Sequence, residues 1–157
     1  MPFSISGLPA DQFAPLFGLS DEELNSRGIV RRTADTKPGY PCRVTLEDAE
    51  PGETLLLLNY ENHKAATPYR SSYAIFVREN RTEAARFVDE IPPVLHGRPI
   101  ALRLFNERGH LIGADLVLPM GDLKGRIEAA FAKADVAYIH AHNAAHGCFA
   151  AEIKRSS

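Results

Sequence analysis

The sequence predicts an α+β fold dominated by an antiparallel twisted sheet, on three observations. Strand-like segments outnumber helical ones, they follow one another through short turns, and the helical patterns fall outside the strand runs rather than alternating with them. Two to four short helices are expected. Partial closure of the sheet into a barrel stays open, because shear and bulges leave no mark in periodicity. At 157 residues, with no repeat, linker or low-complexity tract, residues 1–157 read as a single domain able to bury one core.

The elements follow in order. Pro9 to Phe17 carries an apolar stripe of Phe13, Leu16 and Phe17, interrupted by Pro15, and reads as a short helix. The next start is sharper: Ser20 caps, Glu23 closes the capping box, Leu19 staples onto Leu24 and Gly28 terminates. Ile29 to Ala34 reads as a strand, and two prolines and a glycine stiffen the loop from Lys37 to Cys42. Arg43 to Leu46 and Thr54 to Tyr60 read as a hairpin turning at Glu50-Pro-Gly-Glu53, with its second strand buried. Tyr73 to Arg78 is strand-like, and Glu83 to Asp89 reads as two helical turns. Ile100 to Phe105 and Leu111 to Leu118 pair across Asn106-Glu-Arg-Gly109. Asp122 caps a helix whose Leu123, Ile127, Ala130 and Phe131 recur at helical spacing.

The last hairpin, from Val136 to Lys154, holds three of the six histidines and one of the two cysteines. Strand residues alternate between faces, so matching Ala137, Ile139 and Ala141 with Phe149, Ala151 and Ile153 requires paired positions that sum to an even number. That register, with Asn143 opposite Gly147 or Ala144 opposite Cys148, puts His140, His142 and Cys148 on one face with Tyr138, Ala150 and Glu152.

Composition excludes several classes. The net charge of -2 offers no broad attraction to a phosphate backbone, so nucleic acid is not an expected partner. The longest aliphatic run, Leu55 to Leu58, is far short of a membrane span, and the N-terminus lacks a signal-peptide pattern. Two cysteines are too few for a disulfide framework, which points to the cytoplasm.

Five motifs stand out: Lys37-Pro-Gly-Tyr-Pro-Cys-Arg43, Leu46-Glu-Asp-Ala-Glu-Pro-Gly-Glu53, Thr67-Pro-Tyr-Arg70, Ile75-Phe-Val-Arg78 and His142-Asn-Ala-Ala-His-Gly-Cys148. As a set they resemble a bacterial family known only as domain of unknown function 1203, over nearly the whole chain. The resemblance implies a small bacterial protein and carries no activity or catalytic roles with it.

Chemistry must therefore come from the residues. Cys148 beside an imidazole suits an activated thiolate, with His140 taking the proton and Asn143 orienting the ring; the competing reading is a free cysteine packed as a small hydrophobe. Cys42 faces the same choice, and the two cysteines together would make a thiol switch if they lie close. His140, His142 and Cys148 also have the ligand types for zinc, but no fourth ligand is apparent, so no cofactor is expected from the spacing. Arg43 and Arg70, with Tyr69 and His142, offer guanidinium forks and polar groups to a carboxylate or phosphate. Arg78 joins them only if it lacks an acidic neighbour, and Glu47, Asp48, Glu50 and Glu53 read as a solvated acidic tip. The reading that follows is a domain that binds or acts on a small anionic metabolite, whether or not it is an enzyme. Its alternative is a non-catalytic interaction or homodimerisation module using the histidine face and a free strand edge.

Overall fold

A computed structural model describes residues 2–156. Strands β1 (Phe3–Ser6), β2 (Val30–Thr33), β3 (Thr54–His63), β4 (Ser71–Arg78), β5 (Arg86–Val88), β6 (Ile100–Phe105), β7 (Leu111–Val117), β8 (Tyr138–Asn143) and β9 (Phe149–Arg155) form two sheets, with helices α1 (Asp21–Ser26) and α2 (Leu123–Phe131). The larger sheet has the order β5-β1-β9-β8-β6-β7 and the smaller β2-β3-β4. All strand pairs in both are antiparallel. The architecture is therefore the antiparallel α+β arrangement that the turn-linked strands predict, divided into two open sheets rather than closed into a barrel.

Each helix begins where its cap stands. Ser20 Oγ accepts from the Glu23 backbone N–H at 3.1 Å, and Asp122 Oδ1 accepts from that of Gly125 at 2.9 Å, each satisfying a donor that the first turn leaves free. Pro15 confines the first apolar stripe to two short 3-10 turns, Ala10–Gln12 and Ala14–Leu16, which still bury Phe13.

The larger sheet buries Ile139, Ala141, Ile153, Leu102 and Leu104 with Ile127 and Phe131 of α2, forming one core. Its opposite face meets the smaller sheet, where Arg103 on β6 donates to Tyr73 Oη on β4 at 3.1 Å. A second core, Leu56, Leu58, Ile75 and Val77 with Leu24 and Phe13, fixes the smaller sheet against the N-terminal helices.

Two predicted elements differ. Residues 43–46 are a turn rather than a strand: Leu46 takes φ +55°, and its N–H bonds back to the Cys42 carbonyl at 3.0 Å. The strand Thr54–His63 instead pairs with β2 on one side and β4 on the other. Residues 83–89 contain β5 rather than helical turns, because β1, a strand that local pattern does not announce, offers an open edge to Arg86–Val88.

Candidate functional site

The last hairpin sets the site. From Tyr138↔Lys154 to Ala141↔Ala151 the paired positions sum as the apolar match requires, but a β-bulge follows and His142 pairs with Phe149. The extra residue reverses the faces beyond it. Ala150 enters the core with Ala151 and Ile153, while Phe149 turns to the histidine face, its ring centroid 5.1 Å from that of His140 and 5.9 Å from that of His142. The sequence-based placement of Phe149 on the face opposite His140 is thus corrected, while Cys148 precedes the strand and lies outside the paired ladder. Cys148 stands across from Asn143, whose backbone N–H donates to its carbonyl at 2.9 Å.

Arg43 reaches this turn from a separate part of the chain. It is 2% exposed. Its Nε donates to the Phe149 carbonyl at 2.8 Å, Nη1 to the Pro41 carbonyl at 2.7 Å and Nη2 to Cys148 Sγ at 3.2 Å. Asn143 Nδ2 approaches the same sulfur at 3.6 Å. Both partners are donors, so the sulfur acts as an acceptor. Burial draws the Arg43 pKa below its ordinary value while Cys148 pulls it back up, and a guanidinium stays charged through such shifts. Among the described residues no carboxylate pairs with it.

A cavity of about 560 Å³ lies beside β4, where Pro41, Leu57, Tyr73, Phe76 and Pro99 make an apolar wall and Arg43, Arg98, Asn143, His146 and Cys148 supply the polar groups. Arg98 is neutralised: its guanidinium grips Asp48 through two bonds of 2.6 and 3.0 Å. Asn143 is 8% exposed and its Oδ1 has no partner. His142 is 1% exposed. Its Nδ1 donates to the Gly147 carbonyl at 2.8 Å, Nε2 is left without a partner, and burial pushes its pKa down to about 4.

The remaining candidates lie elsewhere. Cys42 is fully buried, and its Sγ receives the backbone N–H groups of Val44, Thr45 and Arg78 at 3.3 to 3.4 Å, which ties the 42–45 turn to β4. Both cysteines are free. Arg70 is exposed and paired with Glu61 at 2.7 Å, and Tyr69 beside it lends its carbonyl to His63 Nδ1 at 2.9 Å; neither lines the cavity. Arg78 has acidic partners in Glu53 and Glu47, and the Glu53 carboxyl beside it is held at about 2. Asp48, placed by its sequence on a solvated tip, is buried by its pairing with Arg98.

His140 belongs to a different cluster. Its Nε2 lies 3.0 Å from Glu152 Oε2 and its Nδ1 3.4 Å from Asn62 Nδ2, while His63 Nε2 and Tyr138 Oη are 2.6 Å apart. Desolvation lowers the His140 pKa despite Glu152. These bonds staple β3 to β8 and β9 across the sheet interface. Among the described residues, no group of three His, Cys, Asp or Glu side chains is placed to hold a metal ion. Sequence spacing misses Arg98, Tyr73 and His63, since each partner is remote in the chain, whereas it does place Glu152 on the face of His140, its neighbour across the ladder.

The fold and cavity define an antiparallel α+β domain with a buried arginine and a half-buried cysteine at one pocket. The chain belongs to the family described as Protein of unknown function (DUF1203), whose model matches residues 39–155. That span includes Arg43, Asn143 and Cys148, and excludes β1, α1 and β2. No curated protein and no solved structure matches the chain.

Proposed function

We propose that the protein binds a small molecule with an apolar body and an anionic end in the cavity beside β4. The observation that carries this reading is Arg43, a buried guanidinium that faces an apolar cavity without a carboxylate partner. Three of the five N–H groups of a guanidinium are used by the protein here, which leaves two for a ligand oxygen. Leu57, Phe76 and Tyr73 supply the surface that an aliphatic or aromatic body covers, as in small-molecule sites generally. Arg70 has no part in this reading, because its charge is already matched at a distant surface.

Calorimetry with an arylalkanoic acid and its neutral primary amide tests it. The carboxylate should bind more tightly by about tenfold or more, the scale of one charge-assisted hydrogen bond. Arg43→Gln should erase that difference. Equal affinities for acid and amide in the wild-type protein, or binding of neither, overturn the proposal.

A further inference from the structure

We propose that Cys148 is a peroxide-reactive thiol whose substrate is an organic hydroperoxide. The inference rests on the same cavity admitting a small molecule, but not on that molecule being an anion. Cys148 is half-buried and lines the cavity, whereas Cys42 is sealed from it. Its sulfur faces two N–H donors, from Arg43 and Asn143, to which it offers its lone pairs.

The second observation is independent of the sulfur. Asn143 Oδ1 is a buried acceptor without a partner, on a side chain that lines the same cavity. Leaving such an acceptor unpaired is costly, so the ligand that fits best brings an O–H or N–H. A hydroperoxide meets both requirements: it carries an O–H for Asn143, and it generates an oxyanion where Arg43 has N–H groups to spare.

The step balances. Cys148 Sγ gives up its thiol proton to water and attacks the terminal oxygen of R–O–O–H; the S–O bond forms and the O–O bond breaks. The alkoxide leaves with the electron pair, is stabilised by Arg43, and takes a proton from water to give R–OH. Sulfur is oxidised by two electrons to a sulfenic acid and the peroxide is reduced. Asn143 Oδ1 accepts the O–H first of the peroxide and then of the sulfenic acid. The wall of Pro41, Leu57, Phe76 and Pro99 selects an organic R group over the bare hydrogen of hydrogen peroxide.

The test mixes the full-length protein with cumene hydroperoxide or hydrogen peroxide, traps sulfenic acid with dimedone and locates the adduct by mass spectrometry. The adduct should form at Cys148 and be absent from Cys148→Ser. The organic peroxide should react faster by about tenfold or more, what burying roughly two methylene groups contributes. Asn143→Ala should lower the yield of trapped sulfenic acid several-fold. No adduct at Cys148, reaction no faster than free cysteine, or hydrogen peroxide as the better oxidant would each overturn the proposal. Calorimetry on Cys148→Ser with the arylalkanoic acid separates the two readings. Acid binding without oxidation of the wild type rejects the thiol chemistry alone, and oxidation without acid binding rejects the anion site alone.

Discussion

Arg43 and Asn143 show how much one buried side chain can set at its neighbours. Two donors of Arg43 join the 41–43 segment to Cys148 and Phe149 and a third closes on the Pro41 carbonyl, so removing its guanidinium would take a donor from two carbonyls and a sulfur. Arg43→Met should therefore destabilise the fold by about 1–3 kcal/mol, the scale of a buried acceptor left unpaired, read from urea unfolding. Reactivity should divide between the cysteines in the same way. Iodoacetamide should label Cys148 in the native protein and reach Cys42 only after unfolding, because Cys42 is fully buried. His140 pairs with Glu152 and Asn62, whereas the partners of the Cys148 sulfur are Arg43 and Asn143, so His140→Ala should leave the alkylation rate of Cys148 unchanged and Asn143→Ala should alter it. An effect of His140→Ala alone would show that the histidine face communicates with the thiol.

At the scale of elements, the approach of the N-terminal strand to the site-bearing turn depends on a glycine. A Cβ added at Gly7 would lie 1.9 Å from the Val44 carbonyl oxygen, which itself accepts from Ala85 N–H. Leu8 N–H then bonds to the Arg43 carbonyl at 2.8 Å. Gly7→Ala should cost about 2 kcal/mol or more, since the clash is with backbone that cannot rotate away. The same variant should weaken ligand binding in the cavity by displacing Arg43; full affinity in a destabilised Gly7→Ala protein would uncouple β1 from the site. The bulge offers a parallel test. Ala150 is 2% exposed within the core, and Ala150→Leu should cost about 1–3 kcal/mol by overpacking, whereas a regular ladder would have put it on the histidine face.

For the molecule as a whole, acid should act in two stages. His142 has an ordinary value of 6.5 and is held to about 4 by burial, so between these limits the unfolded chain binds a proton that the native protein refuses. The stability associated with its neutral form is fully present above pH 6.5 and is lost by pH 4, to a total of about 3 kcal/mol. The lowered pKa of His140 acts in the same direction. A second stage follows below pH 4.5, where Glu53 beside Arg78 and Glu79 beside Arg31 stay ionised down to about 2; their contribution is complete above 4.5 and disappears as pH falls through 2. Urea midpoints measured from pH 7 to 3 should decline across both windows, and His142→Gln should flatten the first. A midpoint constant between pH 7 and 4 would contradict the burial of a neutral His142.

Local chemistry wrote much of this into the chain. The caps at Ser20 and Asp122, the Asn106–Gly109 turn, the aliphatic run of β3 and the alternation of β6 and β8 are short-range effects, and the antiparallel α+β class follows from them. The residue types of the site were also legible, since Arg43, Asn143 and Cys148 stand in distinctive motifs. Their grouping was not. Arg43 meets Cys148 across 105 positions of sequence, and Asp48 finds Arg98 across 50. Such pairings arise from the packing of one sheet against another, which local periodicity does not encode. A single extra residue in β9 then decided which of two opposite faces Phe149 occupies. Alternation has a period of two, so one bulge reverses every side chain beyond it, and only the assembled sheet fixes where that bulge falls.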